Sequence, residues 1–219
     1  MKQAMSKFSL VIMLLVAFCA RADIAGEVRK TVEDSTEFLV NKLEKERGTY
    51  DEDPEKFYAV MESALSDSVD FRRIAARVMG RYRREATKDQ KNAFVEAFKK
   101  SLFNAYGKTL VESGDFTISV LTADVNPRDE ERATVDLEVT TATGSKYPVI
   151  YAMYKNTDLQ KWLLENVIVN GVNVGLAFRD RFEQQYAQYN GNIDQVVSNW
   201  SSHLDEDEVK NGAKEEDQQ

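Results

Sequence analysis

Residues 147–154, Tyr-Pro-Val-Ile-Tyr-Ala-Met-Tyr, decide the class of the fold because they are rich in β-branched and aromatic residues and follow a period of two. Successive side chains of a β-strand point to opposite faces of a sheet. This period places four large side chains on one face of a strand: Tyr147, Val149, Tyr151 and Met153.

Three more segments carry the same alternation and are rich in Val, Ile, Thr and Tyr. The connections at Gly144-Ser145 and Lys155–Lys161 are typical of turns between antiparallel neighbours. The sequence therefore predicts a curled four-stranded antiparallel sheet. Its strands are predicted at 116–125, 133–141, 147–154 and 162–169.

The residues before and after these strands carry a helical period instead. Asp53-Pro54, Asp70 and the capping box Thr87–Gln90 mark the first residues of three predicted helices, and Asn170-Gly171 precedes a fourth. The helix from Asp70 is predicted to carry its apolar side as far as Tyr82. Two further helices are predicted at Ile24–Arg47, with Gly48 as its stop, and at Ile193–Leu204.

Helices followed by an antiparallel sheet and then more helices predict an α+β fold. The N-terminal helices are expected to pack over one face of the sheet. Such an arrangement contains either a filled core or an apolar cavity between its layers. The strand pattern alone leaves both open.

Composition excludes several classes of protein. The chain has 219 residues, of which 42% are hydrophobic and 10% aromatic, so a single domain with a sizeable core is expected rather than disorder. It holds 29 basic against 37 acidic residues, a net charge of −8 at pH 7. Nucleic-acid binding requires an excess of Lys and Arg, so no nucleic-acid partner is expected.

The first 22 residues have the layout of a secretory signal peptide. Lys2 and Lys7 precede the apolar run 10–20, and Ala20-Arg21-Ala22 supplies small residues for cleavage after Ala22. Cleavage removes three basic residues and no acidic one, so the net charge falls from −8 to −11. It also removes Cys19, the one cysteine, and leaves an exported, soluble protein. The predicted organisation is a signal peptide at 1–22, one α+β domain at 23–204 and an acidic disordered tail at 205–219.

Catalytic and metal-binding motifs are not found. His203 is the one histidine, and no Gly-x-Ser-x-Gly, phosphate loop or histidine pair at metal spacing occurs. The acidic residues are too numerous for any carboxylate pair to be informative. We expect no enzyme, no metal and no cofactor.

Six arginines fall within residues 72–84 of this otherwise acidic chain. Four of them have helical spacing opposite the apolar stripe and form a cationic face, either for phosphate headgroups or for an acidic partner. The alternative is a solvated face paired with nearby acids. The four residues are Arg73, Arg77, Arg81 and Arg84.

Two blocks of sequence resemble the MlaC-like (toluene-tolerance) periplasmic phospholipid-binding proteins of Gram-negative bacteria. The first runs from Val-Asp-Phe-Arg-Arg-Ile-Ala at 69–75 through Val-Met-Gly-Arg-Tyr-Arg at 78–83 to 86–90 and 94–98. The second comprises 162–167, Gly171-Val172 and 178–182. It departs from the family at Asn166, Asn170 and Asn173, where Asp, Glu and Ser are expected.

The resemblance implies a periplasmic carrier whose cargo is a phospholipid, with acyl chains held in an apolar cavity between the sheet and the helices. A monomer is expected, although the sequence does not determine the oligomeric state. It also implies two partners: an outer-membrane lipoprotein–porin complex and the lipid-binding ring of an inner-membrane ABC transporter complex. The function that the resemblance implies for this carriage is to maintain the lipid asymmetry of the outer membrane. The alternatives are a carrier of a hopanoid or isoprenoid lipid, an adaptor without a cavity that uses its arginine face, and an enzyme with a carboxylate dyad.

Given this resemblance, apolar faces become candidate cavity walls. The expected helical wall is Phe71, Ile74, Ala75, Val78, Tyr82, Phe94 and Phe98. The expected sheet wall is Tyr147, Val149, Tyr151, Met153 and Trp162, with Val172 and Leu176 near the mouth.

Overall fold

The computed structural model describes the backbone of residues 2–112 and 115–201 and the side chains of residues 23–105, 111 and 115–201. The helices are α1 (Lys2–Glu52), α2 (Pro54–Leu65), α3 (Phe71–Val78), α4 (Lys88–Glu112), α5 (Val174–Gln188) and α6 (Ile193–Ser198), with a 3₁₀ helix at Gly80–Arg84. The strands are β1 (Phe116–Val125), β2 (Arg132–Thr141), β3 (Lys146–Asn156), β4 (Lys161–Val169) and β5 (Val172–Asn173).

The strands form one antiparallel sheet in the order β1-β2-β3-β4-β5. The predicted α+β class is confirmed, and the four predicted strands are present with nearly the expected ends. The sheet has a fifth strand that the sequence analysis missed. Asn170 and Gly171 have φ of 52° and 77°. Positive φ at both positions is typical of a tight hairpin turn, which folds β5 back onto β4.

Local side-chain bonds begin three of the helices, as predicted. Asp53 Oδ1 accepts a hydrogen bond from the Lys56 amide at 3.0 Å, and Asp70 Oδ1 accepts one from the Arg73 amide at 2.8 Å. The Thr87 amide donates to Gln90 Oε1 at 3.0 Å, and the Gln90 amide donates to Thr87 Oγ1 at 3.2 Å. Each bond satisfies an amide that the first helical turn leaves without a partner.

Three helix ends differ from the prediction. Gly48 does not stop α1, which continues to Glu52, because a glycine costs a helix only about 1 kcal/mol. α3 ends at Val78 instead of reaching Tyr82, and Gly80 follows it with φ of 52°. α6 ends at Ser198. Leu204 and the predicted tail at 205–219 lie outside the described residues.

α1 runs as one helix through the predicted cleavage position after Ala22, which stays a prediction. Within the described part of the chain, no helix has both the length and the apolar composition that a membrane crossing needs.

Three hydrophobic clusters form the core. One lies among α3 to α6 and includes Phe94, Phe98 and Phe182. A second joins the sheet to Val28 and Val32 of α1. A third, smaller cluster lies where α1, α2 and α4 meet. The helical core and the sheet core share no buried residue.

Two glycines provide a test of this backbone. A Cβ on Gly175 would clash with Asn166 Oδ1, the atom that accepts the Gly175 amide bond at 3.0 Å. Gly175→Ala should therefore lower the free energy of unfolding by about 1–2 kcal/mol. Gly48 has open space around it, so Gly48→Ala should raise it by about 0.5–1 kcal/mol. Urea denaturation measures the free energy of unfolding of both variants. An equal loss of stability in the two would contradict the structure.

Candidate functional site

An apolar cavity of about 320 Å³ lies between α1, α2 and α4 on one side and β1 to β3 on the other. This volume lies within the range of small-molecule sites, about 300–1,000 Å³. Its lining is almost entirely hydrocarbon. The lining residues are Leu39, Val40, Leu43, Phe57, Met61, Leu65, Phe103, Phe116, Ile118, Val139, Thr141 and Tyr151.

The periods of the surrounding elements account for this lining. Leu39 and Leu43 are four residues apart and therefore share one face of α1, as Phe57 and Met61 do in α2. Across the sheet, Ile118 of β1 lies directly opposite Val139 of β2. The cavity is thus the space that the apolar faces of these elements enclose without filling.

A narrow neck of about 50 Å³ adjoins the cavity. Leu39, Leu65 and Tyr151 line both spaces. Burial raises the pKa of the Tyr151 phenol. Val69 and Leu164, which are paired by a parallel backbone bridge, also line the neck.

Of the residues predicted to line a cavity, Tyr151 lines the apolar cavity. Three others from the sheet, Val149, Met153 and Trp162, are buried in the cluster that α1 covers. Tyr147 is 40% exposed, and Val172 pairs with Val169 at the edge of the sheet. Whether these residues contact a ligand stays a prediction.

The predicted helical wall belongs to the cluster among α3 to α6, and aromatic contacts fill its interior. Phe94 contacts Phe182 edge-on with ring centroids 5.0 Å apart, and Phe98 contacts Phe178 at 5.3 Å. These are favourable aromatic geometries. The other predicted residues of this wall pack in or against the same cluster: Phe71, Ile74, Ala75, Val78 and Tyr82.

A buried carboxylate binds two of the four predicted arginines. The side chain of Glu165 in β4 is 4% exposed. Arg73 Nε lies 2.6 Å from its Oε2, and Arg77 Nη2 lies 3.0 Å from its Oε1. Arg132 of β2 donates to the same Oε1. The sequence analysis missed Glu165 and Arg132, although an acid inside the apolar run 162–169 was an available signal.

An aromatic ring and a second acid complete this group. The Arg73 guanidinium lies 3.8 Å from the centroid of the Tyr154 ring, a cation–π distance. The Tyr154 hydroxyl donates to Asp70 Oδ2, while Asp70 Oδ1 caps α3. Burial, and then the bond to Asp70, raise the pKa of Tyr154.

The other predicted arginines lie beyond the end of α3, so the four do not share one helical face. Arg81 donates to Glu183 on α5, and Arg84 is exposed. A second cavity, of about 380 Å³, lies nearby, and its lining includes Arg77, Arg83, Arg179 and Glu165. Three residues predicted to contact lipid, Ile74, Val78 and Leu176, also line it. Its lining therefore mixes charged and apolar side chains, in contrast with the apolar cavity.

Metal ligands do not cluster in the described part of the chain, where no three His, Cys, Asp or Glu side chains are grouped to hold an ion. The side chains of Cys19 and His203 lie outside that part. The expected absence of metal and cofactor stays a prediction.

Comparisons with known proteins find a matching family model, a relative and a structural neighbour. A family model described as "MlaC protein" matches residues 33–202. The toluene tolerance protein ttg2D of Pseudomonas putida is 32% identical over 195 residues, which cover 89% of each chain. A solved structure of a phospholipid-binding protein from Ralstonia solanacearum, in complex with a phospholipid, superposes with a TM-score of 0.70 at 17% identity. That match covers 78% of this chain and 92% of the other.

Removal of the buried carboxylate should destabilise the protein. Glu165→Gln leaves Arg73, Arg77 and Arg132 without their shared anion. We expect a loss of about 2 kcal/mol in the free energy of unfolding, below the ~3–5 kcal/mol of a fully buried pair, because the arginines are partly exposed. Urea denaturation followed by circular dichroism measures it. Glu183→Gln, which removes the exposed partner of Arg81, should change little, and equal losses would refute the distinction.

Alkaline pH should also destabilise the protein through Tyr58, which stacks on the cavity residue Phe103 at 5.7 Å. Burial and a hydrogen bond with Tyr50 raise the pKa of Tyr58 to about 12, against 10.0 for an ordinary tyrosine. Between these values the unfolded chain loses the proton that the folded chain retains, so stability falls as pH rises from about 10 to 12. Urea denaturation at several pH values should show that the free energy of unfolding falls less steeply with pH in Tyr58→Phe than in the unaltered protein. An identical fall would rule Tyr58 out as the cause.

Proposed function

Since the chain belongs to the MlaC family, we propose that it is a phospholipid carrier that holds acyl chains in the apolar cavity. The observation that carries this proposal is the hydrocarbon lining between helices and sheet, about 320 Å³ in volume. The phospholipid bound to the structural neighbour from Ralstonia solanacearum supports it, because that protein has the same fold.

The energetics of lipid transfer explain the need for such a carrier. Each buried CH₂ group is worth about 0.8 kcal/mol, so two chains of about 16 carbons represent on the order of 25 kcal/mol. A lipid cannot cross water at a useful rate against this cost. A protein cavity replaces the bilayer during the crossing. Carriage makes and breaks no covalent bond, so the proposal includes no catalysis and no cofactor.

We propose that the acyl chain of the lipid first contacts the side chains that face the cavity from both layers, such as Leu43, Phe103 and Ile118. The apolar faces predicted from the sequence remain candidates for contact with any part of the lipid that extends outside this cavity. Of the predicted helical face, Ile74 and Val78 line the second cavity, whereas Phe94 and Phe98 become accessible to lipid only if their aromatic cluster rearranges.

The proposed setting is the periplasm, after cleavage following Ala22. There the protein would carry phospholipid between an outer-membrane lipoprotein–porin complex and the lipid-binding ring of an inner-membrane ABC transporter complex, and so maintain outer-membrane lipid asymmetry. Arg84 is exposed and suits an acidic partner surface, whereas Arg81 would have to exchange its bond to Glu183 for one to the partner.

Native mass spectrometry of protein purified without detergent, followed by organic extraction, tests the proposal. A mass increment that matches a diacyl phospholipid is the expected result. A hopanoid or isoprenoid in the extract would keep the cavity and change the cargo. Bare polypeptide from a folded sample would favour an adaptor, and turnover of a bound lipid would favour an enzyme.

Filling the cavity should reduce the bound lipid. Ile118→Trp places an indole in the cavity, and we expect at least about half of the lipid to be lost while the protein stays folded. Thr117→Trp is the matched control, because Thr117 is exposed on the other face of the same strand. Lipid per protein is measured by mass spectrometry, with circular dichroism as the check of folding. If folded Ile118→Trp still bound as much lipid per protein as the unaltered protein, the acyl chain would have to bind outside this cavity.

A further inference from the structure

The second cavity, of about 380 Å³, lies where α3, the 3₁₀ helix, β4 and α5 meet. Among the described residues its lining holds one carboxylate, that of Glu165, against three guanidinium groups. Each guanidinium comes from a different helix: Arg77 from α3, Arg83 from the 3₁₀ helix and Arg179 from α5. This lining is therefore cationic in a chain whose net charge is −8.

A tight turn at Gly80 brings these helices together. Gly80 has φ of 52°, in the left-handed region that favours glycine, and it lies between Arg77 and Arg83 in the chain. A Cβ on Gly80 would lie 3.5 Å from both Cγ and Cδ of Arg179, so the Arg179 side chain packs directly on this turn. The turn therefore gives arginines from three helices a common cavity.

The Glu165 carboxylate does not neutralise this group, because its one negative charge is shared. Arg73 Nε lies 2.6 Å from Oε2, Arg77 Nη2 lies 3.0 Å from Oε1, and Arg132 donates to the same Oε1. Three positive charges around one negative charge leave an excess of positive charge. Arg77 has further N–H groups and lines the cavity, so part of this excess acts there.

The other acids beside these arginines lie outside the lining of the cavity. Asp129 is 3.6 Å from Arg132 and Asp180 is 3.9 Å from Arg179, both longer than a hydrogen bond. Asp70 caps the start of α3. An anion that enters the cavity therefore meets Glu165 as the one carboxylate of the described lining.

Arg83 is the arginine most available to a ligand. Its guanidinium is exposed, and it makes no ion pair or hydrogen bond with the residues that the structure describes. Its neighbours in the 3₁₀ helix differ, since Arg81 donates to Glu183 and Arg84 lies outside the lining of the cavity. An anion in the cavity would bind Arg83 without displacing an existing partner.

The apolar part of the lining restricts the ligand further. Ile74 and Val78 of α3 and Leu176 of α5 line the same cavity as the arginines. Arginine binds phosphate through paired, charge-assisted hydrogen bonds, and a phosphate monoester offers three acceptor oxygens where a carboxylate offers two. Hydrocarbon beside the phosphate would cover the apolar side chains. A phosphate monoester of an aliphatic alcohol satisfies both parts of the lining.

We propose that the second cavity binds the phosphate monoester group of an aliphatic ligand, with Arg77 and Arg83 as its principal contacts. A lipid headgroup and free phosphate are two sources of this chemistry, and the apolar lining favours the first. The site is separate from the proposed carriage of acyl chains, because the described linings of the apolar cavity and the neck share no residue with it.

Isothermal titration calorimetry of the purified protein with hexyl phosphate tests the site, with inorganic phosphate and hexanoate as comparison probes. We expect the dissociation constant of hexyl phosphate to be at least about fivefold below that of either comparison probe, because hexyl phosphate alone has both the phosphate and the chain. Equal affinity for inorganic phosphate would overturn the aliphatic part of the proposal. Tighter binding of hexanoate would overturn the choice of phosphate.

Two adjacent arginines provide matched variants with the same change of charge. Arg83→Gln should weaken the binding of hexyl phosphate about tenfold, because it removes a charged donor of the cavity. Arg84→Gln, at an exposed position outside the lining, should weaken it less than about twofold. Circular dichroism checks that both variants fold.

Two results would overturn the assignment of the second cavity. One is equal affinity of the two folded variants for hexyl phosphate, and the other is a folded, unaltered protein that binds no hexyl phosphate. The lipid content of protein purified without detergent tests the carrier function separately, so either proposal can fail while the other stands.

Discussion

The buried carboxylate of Glu165 connects the two halves of the fold. The helical core and the sheet core share no buried residue, so their relative position depends on the contacts that α3 and α5 make with β4. Arg73 and Arg77 bind Glu165 from α3, and Arg132 binds it from β2. Three arginines around one carboxylate compensate the cost of burying its charge, which a single exposed pair could not do.

Backbone bonds beside Glu165 extend this junction to the neck that adjoins the cavity. The Leu164 amide donates to the Ser68 carbonyl at 2.8 Å, and the Asp70 amide donates to the Leu164 carbonyl at 3.2 Å. Ser68 and Leu164 also line the neck. The backbone bonds that join the start of α3 to β4 therefore also position two residues of the neck lining.

The sequence predicted what local chemistry determines. Strand positions followed from the period of two, and helix starts followed from caps such as Asp53 and Asp70, because both depend on neighbours in the chain. β5 was missed because two residues show no period. The cavity could not be located, since an apolar face such as that of Phe94 and Phe98 looks the same whether distant helices fill the space before it or leave it open.

The position of the cavity follows from which elements are already packed. Downstream helices cover the aromatic face of α4 around Phe94, whereas its later residue Phe103 lies in the smaller cluster with α1 and α2. Filling the remaining space would require α1 to move, but Val28 and Val32 hold α1 on the sheet. A space maintained in this way suits reversible binding. Bilayer and cavity are both apolar, so their free energies for an acyl chain differ little, and a passive carrier can take up and release lipid in either direction.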